Sequence, residues 1–446
     1  MLAAIDFPMI KLIVKVGIPL VMLLFGVCYW LYQSIRIKLS PQRGAMLANA
    51  RGQALKQQCD YPAALQEFSK AINLDPTNAE HYYGRGLVYL KQEEFTLAER
   101  DFFESIQCNP IDGSTHFMRG VALHRLERYA QAVDQVTEAI RLQPDCANFY
   151  FCRGLSFESL GEVDRAYQDF SQAIELDSGH AGARQNRAII LSDQGKYHEA
   201  LEDFNQAIET DPKDFKSLNR RGIIWYAWRQ YDRAIDDYTA ALRGTPQAAH
   251  LYSNRGYSRR DSGDLKRAMT DFNEALRLDS KSAHALSGRA KLWLKLGRGR
   301  EALADAEQAC QIDLQEGQTT RGQVRIALGH FDSGFRDLRE NQRRNPNQVQ
   351  AANGIAWLRA TLTDPGARNS EEALHYARMA CEMTGWKDLN LLDTLAAALA
   401  DAGRMEEAIK LQKQVVEALG DDSQDFQMRL DLYASGRPYR KEYDEL

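Results

Sequence analysis

From residue 45 onward apolar residues recur at intervals of three and four, the spacing of amphipathic helices. The pattern then repeats as a whole. A small residue returns every 34 positions, at Gly52, Gly86, Gly120, Gly154, Ala188, Gly222, Gly256 and Ala290. Twelve residues after each stands an alanine, from Ala64 to Ala302. Four further on stands an aromatic, Phe68, Phe102, Phe170, Phe204, Tyr238 or Phe272, with Val136 and Ala306 in the two remaining places. Proline, or Ser178 and Ser280, closes the period. Two amphipathic segments per period, joined by turns such as Asp193-Gln194-Gly195-Lys196, predict helical hairpins. Asp75-Pro76 and Asp211-Pro212 disfavour helix at the aspartate and begin the next connection.

These offsets resemble those of the tetratricopeptide repeat family. In the unit 181–214, Ala188, Leu191, Tyr197, Ala200, Phe204, Ala207 and Pro212 fall on the family pattern. The resemblance implies an all-α fold: a right-handed α-solenoid of stacked helix-turn-helix repeats, its first helices lining a concave groove. Eight units carry the pattern, 45–78, 79–112, 113–146, 147–180, 181–214, 215–248, 249–282 and 283–314. Looser units at 315–348, 349–388 and 389–422 make eleven, and the excess length of the tenth falls in the loop 361–370. Residues 423–446 read as a capping helix and tail, of the kind a terminal repeat needs to stay soluble.

The N-terminal 40 residues break the pattern. Val16 to Tyr32 is a run of 17 residues without a charge. As a helix it would span roughly 26 Å, close to the ~30 Å hydrocarbon core of a bilayer. Lys11 and Lys15 flank it, and Tyr29, Trp30 and Tyr32 stand where an interfacial aromatic belt belongs. Its bulky end, Cys28 to Tyr32, does not look like a cleavage site. The expectation is an uncleaved single-pass anchor over about residues 12–34, of a membrane-anchored, bacterial-type member of the resembling family. Arg36, Lys38 and Arg43 on the far side outnumber the two N-terminal lysines by one, which leans toward a cytoplasmic array. The seven cysteines show no paired spacing, which fits a reducing compartment.

One register is charged. Arginine precedes the small residue in nine successive units: Arg51, Arg85, Arg119, Arg153, Arg187, Arg221, Arg255, Arg289 and Arg321. Sixteen residues later stand Glu67, Asp101, Gln135, Asp169, Asp203, Asp237, Asp271, Asp305 and Asp337. A guanidinium and a carboxylate match as a two-pronged fork. This predicts a structural ladder that sets repeat register, in preference to an arginine stripe for an acidic partner.

By the same resemblance the groove is lined by positions 2, 5, 9, 12 and 13 of each repeat. Positions 5 and 9 read Tyr83 and Leu87, Phe117 and Val121, Phe151 and Leu155 in repeats two to four. They become mainly polar later, with Gln185, Asn219 and Tyr257 as candidates. The apolar strip predicts either a peptide-docking surface or side chains covered within a tightly wound array. A clamp of Lys at position 5 and Asn at position 9, which some relatives use for chaperone C-termini, is not predicted.

The remaining chemistry narrows the function. The net charge is -5, which argues against a phosphate-neutralising nucleic-acid binder. No catalytic motif, metal-ligand spacing or nucleotide loop is present, so no catalytic residue, metal, cofactor or small-molecule substrate is expected. Trp225, Tyr226 and Trp228 read as packing. His250 and His284 share position 2 and read as solvated groove residues. The expected function is a non-catalytic scaffold, held at a membrane, that binds a protein or peptide in its groove. Open alternatives are an extracytoplasmic envelope-assembly factor and a regulatory subunit of a membrane-associated enzyme.

Overall fold

The computed structural model describes residues 40–419 and 424–441. The anchor expected over residues 12–34 lies outside them. Among the described residues there are 23 α-helices and no strand, and no helix is long and apolar enough to cross a membrane. The chain divides into two compact units, residues 1–212 and 213–446.

In the first unit the helices run α1 (Pro41–Gln57), α2 (Tyr61–Leu74), α3 (Ala79–Lys91), α4 (Phe95–Cys108), α5 (Gly113–Arg125) and α6 (Tyr129–Leu142). They continue as α7 (Ala147–Ser159), α8 (Val163–Leu176), α9 (Ala181–Asp193) and α10 (Tyr197–Thr210). Each pair is one hairpin. The second unit begins α11 (Phe215–Ala227), α12 (Tyr231–Gly244), α13 (Ala249–Asp261), α14 (Leu265–Leu278), α15 (Ala283–Lys295) and α16 (Gly299–Ile312). It ends α17 (Leu314–Ala327), α18 (Phe331–Arg344), α19 (Val349–Thr361), α20 (Ser370–Met383), α21 (Leu389–Asp401), α22 (Met405–Leu419) and α23 (Gln424–Ala434).

Local chemistry explains where helices start and stop. Side chains of Asn78, Asp112, Asp214, Ser282 and Asp388 accept backbone N–H groups at the starts of α3, α5, α11, α15 and α21. Every hairpin turn except that of the tenth repeat places its fifteenth residue in the left-handed region. Glycine takes this place at Gly161, Gly195, Gly263 and Gly297, whereas Glu93, Glu127 and Arg229 occupy it with φ of 62°, 59° and 58°.

Close helix crossing comes from the small residue at position 8 and the aromatic at position 24. A Cβ on Gly86, Gly154 or Gly222 would come within 2.7–2.8 Å of the ring of Phe102, Phe170 or Tyr238. Those rings are essentially fully buried, each contributing about 1.5–3 kcal/mol. Where position 8 is Ala188, the facing Phe204 is likewise fully buried.

The arginine register forms two-pronged pairs inside one repeat. Nε and Nη2 of Arg85, Arg153, Arg187, Arg221, Arg255, Arg289 and Arg321 donate to Asp101, Asp169, Asp203, Asp237, Asp271, Asp305 and Asp337 at 2.6–3.0 Å. The carboxylates are buried. The third nitrogen reaches the second helix of the preceding repeat. Nη1 of Arg85, Arg153, Arg187, Arg255 and Arg289 donates to Ser69, Thr137, Ser171, Thr239 and Asn273. Each such arginine therefore ties a hairpin to itself and to its predecessor.

Two registers depart. Gln135 carries no charge, so Arg119 turns to Glu99 of the preceding repeat (2.8 Å), and Gln135 faces His116 instead. Arg51 stays exposed and Glu67 Oε2 has no partner, the longer glutamate standing outside the fork that aspartate makes. The tenth repeat's long loop carries a short 3-10 turn, Pro365–Ala367, pinned by Arg359 Nη1 on the Ala367 carbonyl at 2.8 Å.

Candidate functional site

First helices of successive hairpins lie side by side within a unit, and position 5 sits between them. In the first unit Phe117 meets Phe149 of the next repeat in a tilted pair, 4.7 Å between ring centroids. Phe151 meets His180 at 4.7 Å and Phe170 at 6.0 Å. Tyr83 lies 5.9 Å from Phe102. Leu87, Val121 and Leu155 stand one turn further on, and all six side chains are half-buried. The strip is thus neither closed over nor fully displayed: Phe117 lies against a ring of the next repeat, Tyr83 and Phe151 lie against rings of their own repeats, and all three stay half-exposed. Gln185 and Asn219 are also half-buried. Asn254 Nδ2 donates to Asn219 Oδ1 at 3.0 Å, so this amide is engaged within the array.

Tandem models described as TPR repeat and tetratricopeptide repeat match residues 52–93, 117–181, 186–249, 253–315 and 389–425. The hairpins are tetratricopeptide repeats. Among solved structures, YrrB, titled a TPR protein with an unusual peptide-binding site, is 25% identical over 42% of this chain and 95% of its own, with a TM-score of 0.37. Pseudomonas aeruginosa PilF is 17% identical over 46% of this chain and 94% of its own, with a TM-score of 0.43. Yeast Tom70 is 14% identical over 88% of this chain and 95% of its own, with a TM-score of 0.47. No curated protein matches the chain in sequence.

The tetratricopeptide repeats of the second unit carry a different surface, centred on Tyr257. Its ring stacks on His284 at 4.5 Å, and its hydroxyl donates to the His284 carbonyl at 3.0 Å. The Arg260 guanidinium lies 4.8 Å from the Tyr257 ring centroid and forks onto Asp261 through Nε and Nη2. Tyr226 donates its hydroxyl to the same Asp261 at 2.7 Å. His284 and His250 are exposed, and His284 in addition meets Glu316 at 3.0 Å. Arg260 Nη1 is buried without a partner. Arg260, Asp261 and Lys291 escape sequence reasoning because each alone reads as one more charge on a solvated helix face; their shared signal is placement at positions 12, 13 and 9 of neighbouring repeats.

Lys291 makes no hydrogen bond or ion pair among the described residues. Burial, then the charge of Arg260, pushes its ammonium down to about 8 from 10.5. Below pH 8 the lysine is charged in both folded and unfolded chains, and the folded state carries the whole penalty. Between about 8 and 10.5 the unfolded chain holds the extra proton, so raising the pH favours the fold. Lys291→Met is therefore expected to gain on the order of 1 kcal/mol at pH 7, discounted because the side chain still reaches solvent. The gain should vanish above pH 10.5. Thermal melts of both proteins at pH 7 and pH 10.5 check this; an equal gain at both would refute the charge explanation.

Among the described residues no group of three or more His, Cys, Asp or Glu is placed to hold a metal ion. Cys59, Cys108, Cys146, Cys152, Cys310 and Cys381 are all free thiols. Trp225 and Trp228 pack edge to face at 5.8 Å, with Arg233 at 4.9 Å from the Trp225 ring.

Proposed function

We propose that the protein is a non-catalytic interaction scaffold whose first unit holds an extended, apolar-bearing segment of a protein partner. The supporting observation is the strip Tyr83, Leu87, Phe117, Val121, Phe151 and Leu155, repeated at a fixed register on consecutive first helices and left half-open. A strip of this kind offers pockets between rings at regular steps, which suits a chain laid along it. In the same proposal the uncharged run 16–32 holds the scaffold at a membrane with the array on the cytoplasmic side. That part rests on sequence and charge asymmetry alone. A reporter fused after residue 446 and assayed on both sides of the membrane checks the orientation.

The binding reading is tested by placing a photocrosslinker at Val121, identifying what it captures, and repeating the capture in Phe117→Ser with Phe151→Ser. Loss of both half-buried rings is expected to weaken the captured complex about 10-fold or more, the scale of a lost aromatic anchor. Equal capture by a variant that keeps its helical circular dichroism would remove the strip as the docking site.

A further inference from the structure

At the C-terminal end of the second unit the groove registers are not left open. In α21 every residue from Leu391 to Ala400 is buried, whereas α3 keeps Tyr83 and Leu87 half-exposed. Helices α19, α20 and α22 pack around α21, and the chain's own C-terminal segment completes the cover, with Tyr433 buried in the same cluster and Phe426, Leu432 and Tyr439 against it. Arg429 of α23 donates through Nε to Asp393, position 5 of the eleventh repeat, at 2.8 Å. Helix α23 is then stopped by Gly436 at φ 73°, where Arg437 N–H returns to the Leu432 carbonyl at 3.0 Å, and Pro438 cannot continue it.

Residues 438–441 turn back over the tenth and eleventh repeats. Tyr439 lies 5.8 Å from Trp357, position 9 of the tenth repeat, and the Arg429 guanidinium lies 5.7 Å from the Trp357 ring and 5.5 Å from the Tyr439 ring. Arg440 Nη1 donates to the Ala360 carbonyl at 2.9 Å and Nη2 to Asp401 at 2.7 Å. The Lys441 N–H donates to the Thr361 carbonyl at 2.8 Å, forming a one-residue parallel bridge with Leu362. Trp357, Ala360 and Thr361 are positions 9, 12 and 13 of their repeat, and Asp401 is position 13 of the next. These are the registers that line the groove elsewhere.

A ring on a ring, a guanidinium on a buried carboxylate and a main-chain hydrogen bond are the parts by which an extended peptide is held. We propose that this end of the groove is a receptor for an extended aromatic–arginine segment, filled in cis by Tyr439 and Arg440 and open to a partner segment of the same chemistry once the tail lifts. The cis contacts stand on their own geometry; only admission of a partner rests on the reading of the groove as a peptide site. The tail is tethered through exposed residues 435–437, which places it at an effective concentration of about millimolar. A free peptide therefore competes poorly with an intact tail.

The test uses a fluorescein-labelled peptide of residues 435–441, titrated by anisotropy into the full chain and into a chain ending at Gly436. The shortened chain is expected to bind at least about tenfold more tightly than the full chain. Tyr439→Ala or Arg440→Ala in the peptide should cost about tenfold or more, as should Asp401→Asn in the receptor. If the shortened chain fails to fold, the full-length double variant Tyr439→Ala with Arg440→Ala takes its place, and it too should bind the unmodified peptide. No binding to a folded receptor, or equal binding of altered and unaltered peptides, would overturn the proposal. Because the site lies in the second unit, that outcome leaves capture at Val121 unaffected, and loss of capture there leaves this titration unaffected.

Discussion

Gly317→Ala is expected to be the most damaging small substitution in the array. A Cβ at this position would sit 2.1 Å from Cys310 N, 2.3 Å from its Cα and 2.5 Å from the Ala309 carbonyl carbon. All three are backbone atoms of α16, so no rotamer change relieves the clash. The crowding follows from chain length. The eighth repeat holds two residues fewer than its neighbours, and Asp313 alone joins α16 to α17, ending one helix and capping the next through the N–H groups of Gln315 and Glu316. Accommodating a methyl group would mean separating the two helices and losing that cap. The cost is expected at about 3 kcal/mol or more, the upper range for overpacking a close contact. Gly354→Ala is the control. It lies within helix α19, nothing stands within 4 Å of its added Cβ, and alanine is favoured there by roughly 0.5–1 kcal/mol. Melting temperatures should move in opposite directions, and equal shifts would disprove the argument from contact.

The second large effect is expected in the Arg–Asp ladder, and it should differ between rungs. Arg153→Leu leaves the Asp169 carboxylate, only 7% exposed, without a cation. Breaking a buried pair from one side costs about 3 kcal/mol or somewhat more, because the remaining charge is uncompensated. Arg187→Leu removes the equivalent fork from Asp203, but Arg184 Nη1 remains on Asp203 at 3.1 Å. Its cost should fall to roughly half that of the Arg153 change. Adding Asp169→Asn to Arg153→Leu removes the stranded charge and should recover part of the loss. Denaturant midpoints of these three variants against the unaltered protein measure this. Identical losses at Arg153 and Arg187 would mean that the arginines act through their stems and not through the carboxylates.

Several features could be read without coordinates because they are periodic. The period of 34 residues, the glycine opposite an aromatic and the sixteen-residue separation of Arg and Asp all repeat often enough to stand out from a single sequence. Arg153 and Asp169 can be paired on paper because a fixed offset across a hairpin admits few geometries. The departures at Gln135 and Glu67 are also visible as breaks in the column, though Arg119 turning back to Glu99 is not, since no repeated offset marks it.

The local rules of helix, cap and turn act over a few residues, so the linear order of amino acids already specifies the hairpins and the aromatic core that spaces them. How open the groove is depends instead on contacts between hairpins. Phe117 is half-covered because Phe149, 32 residues later, lies against it. Lys291 is an ordinary surface lysine in the sequence, and its ammonium is disfavoured only once the fold buries it and sets Arg260 nearby. The returning tail lies furthest from view: Arg440 meets Ala360 across 80 residues of chain, a pairing made once and therefore without a period to announce it. Short-range periodicity carries the architecture. Single long-range contacts, set by packing, decide which parts of the groove stay free.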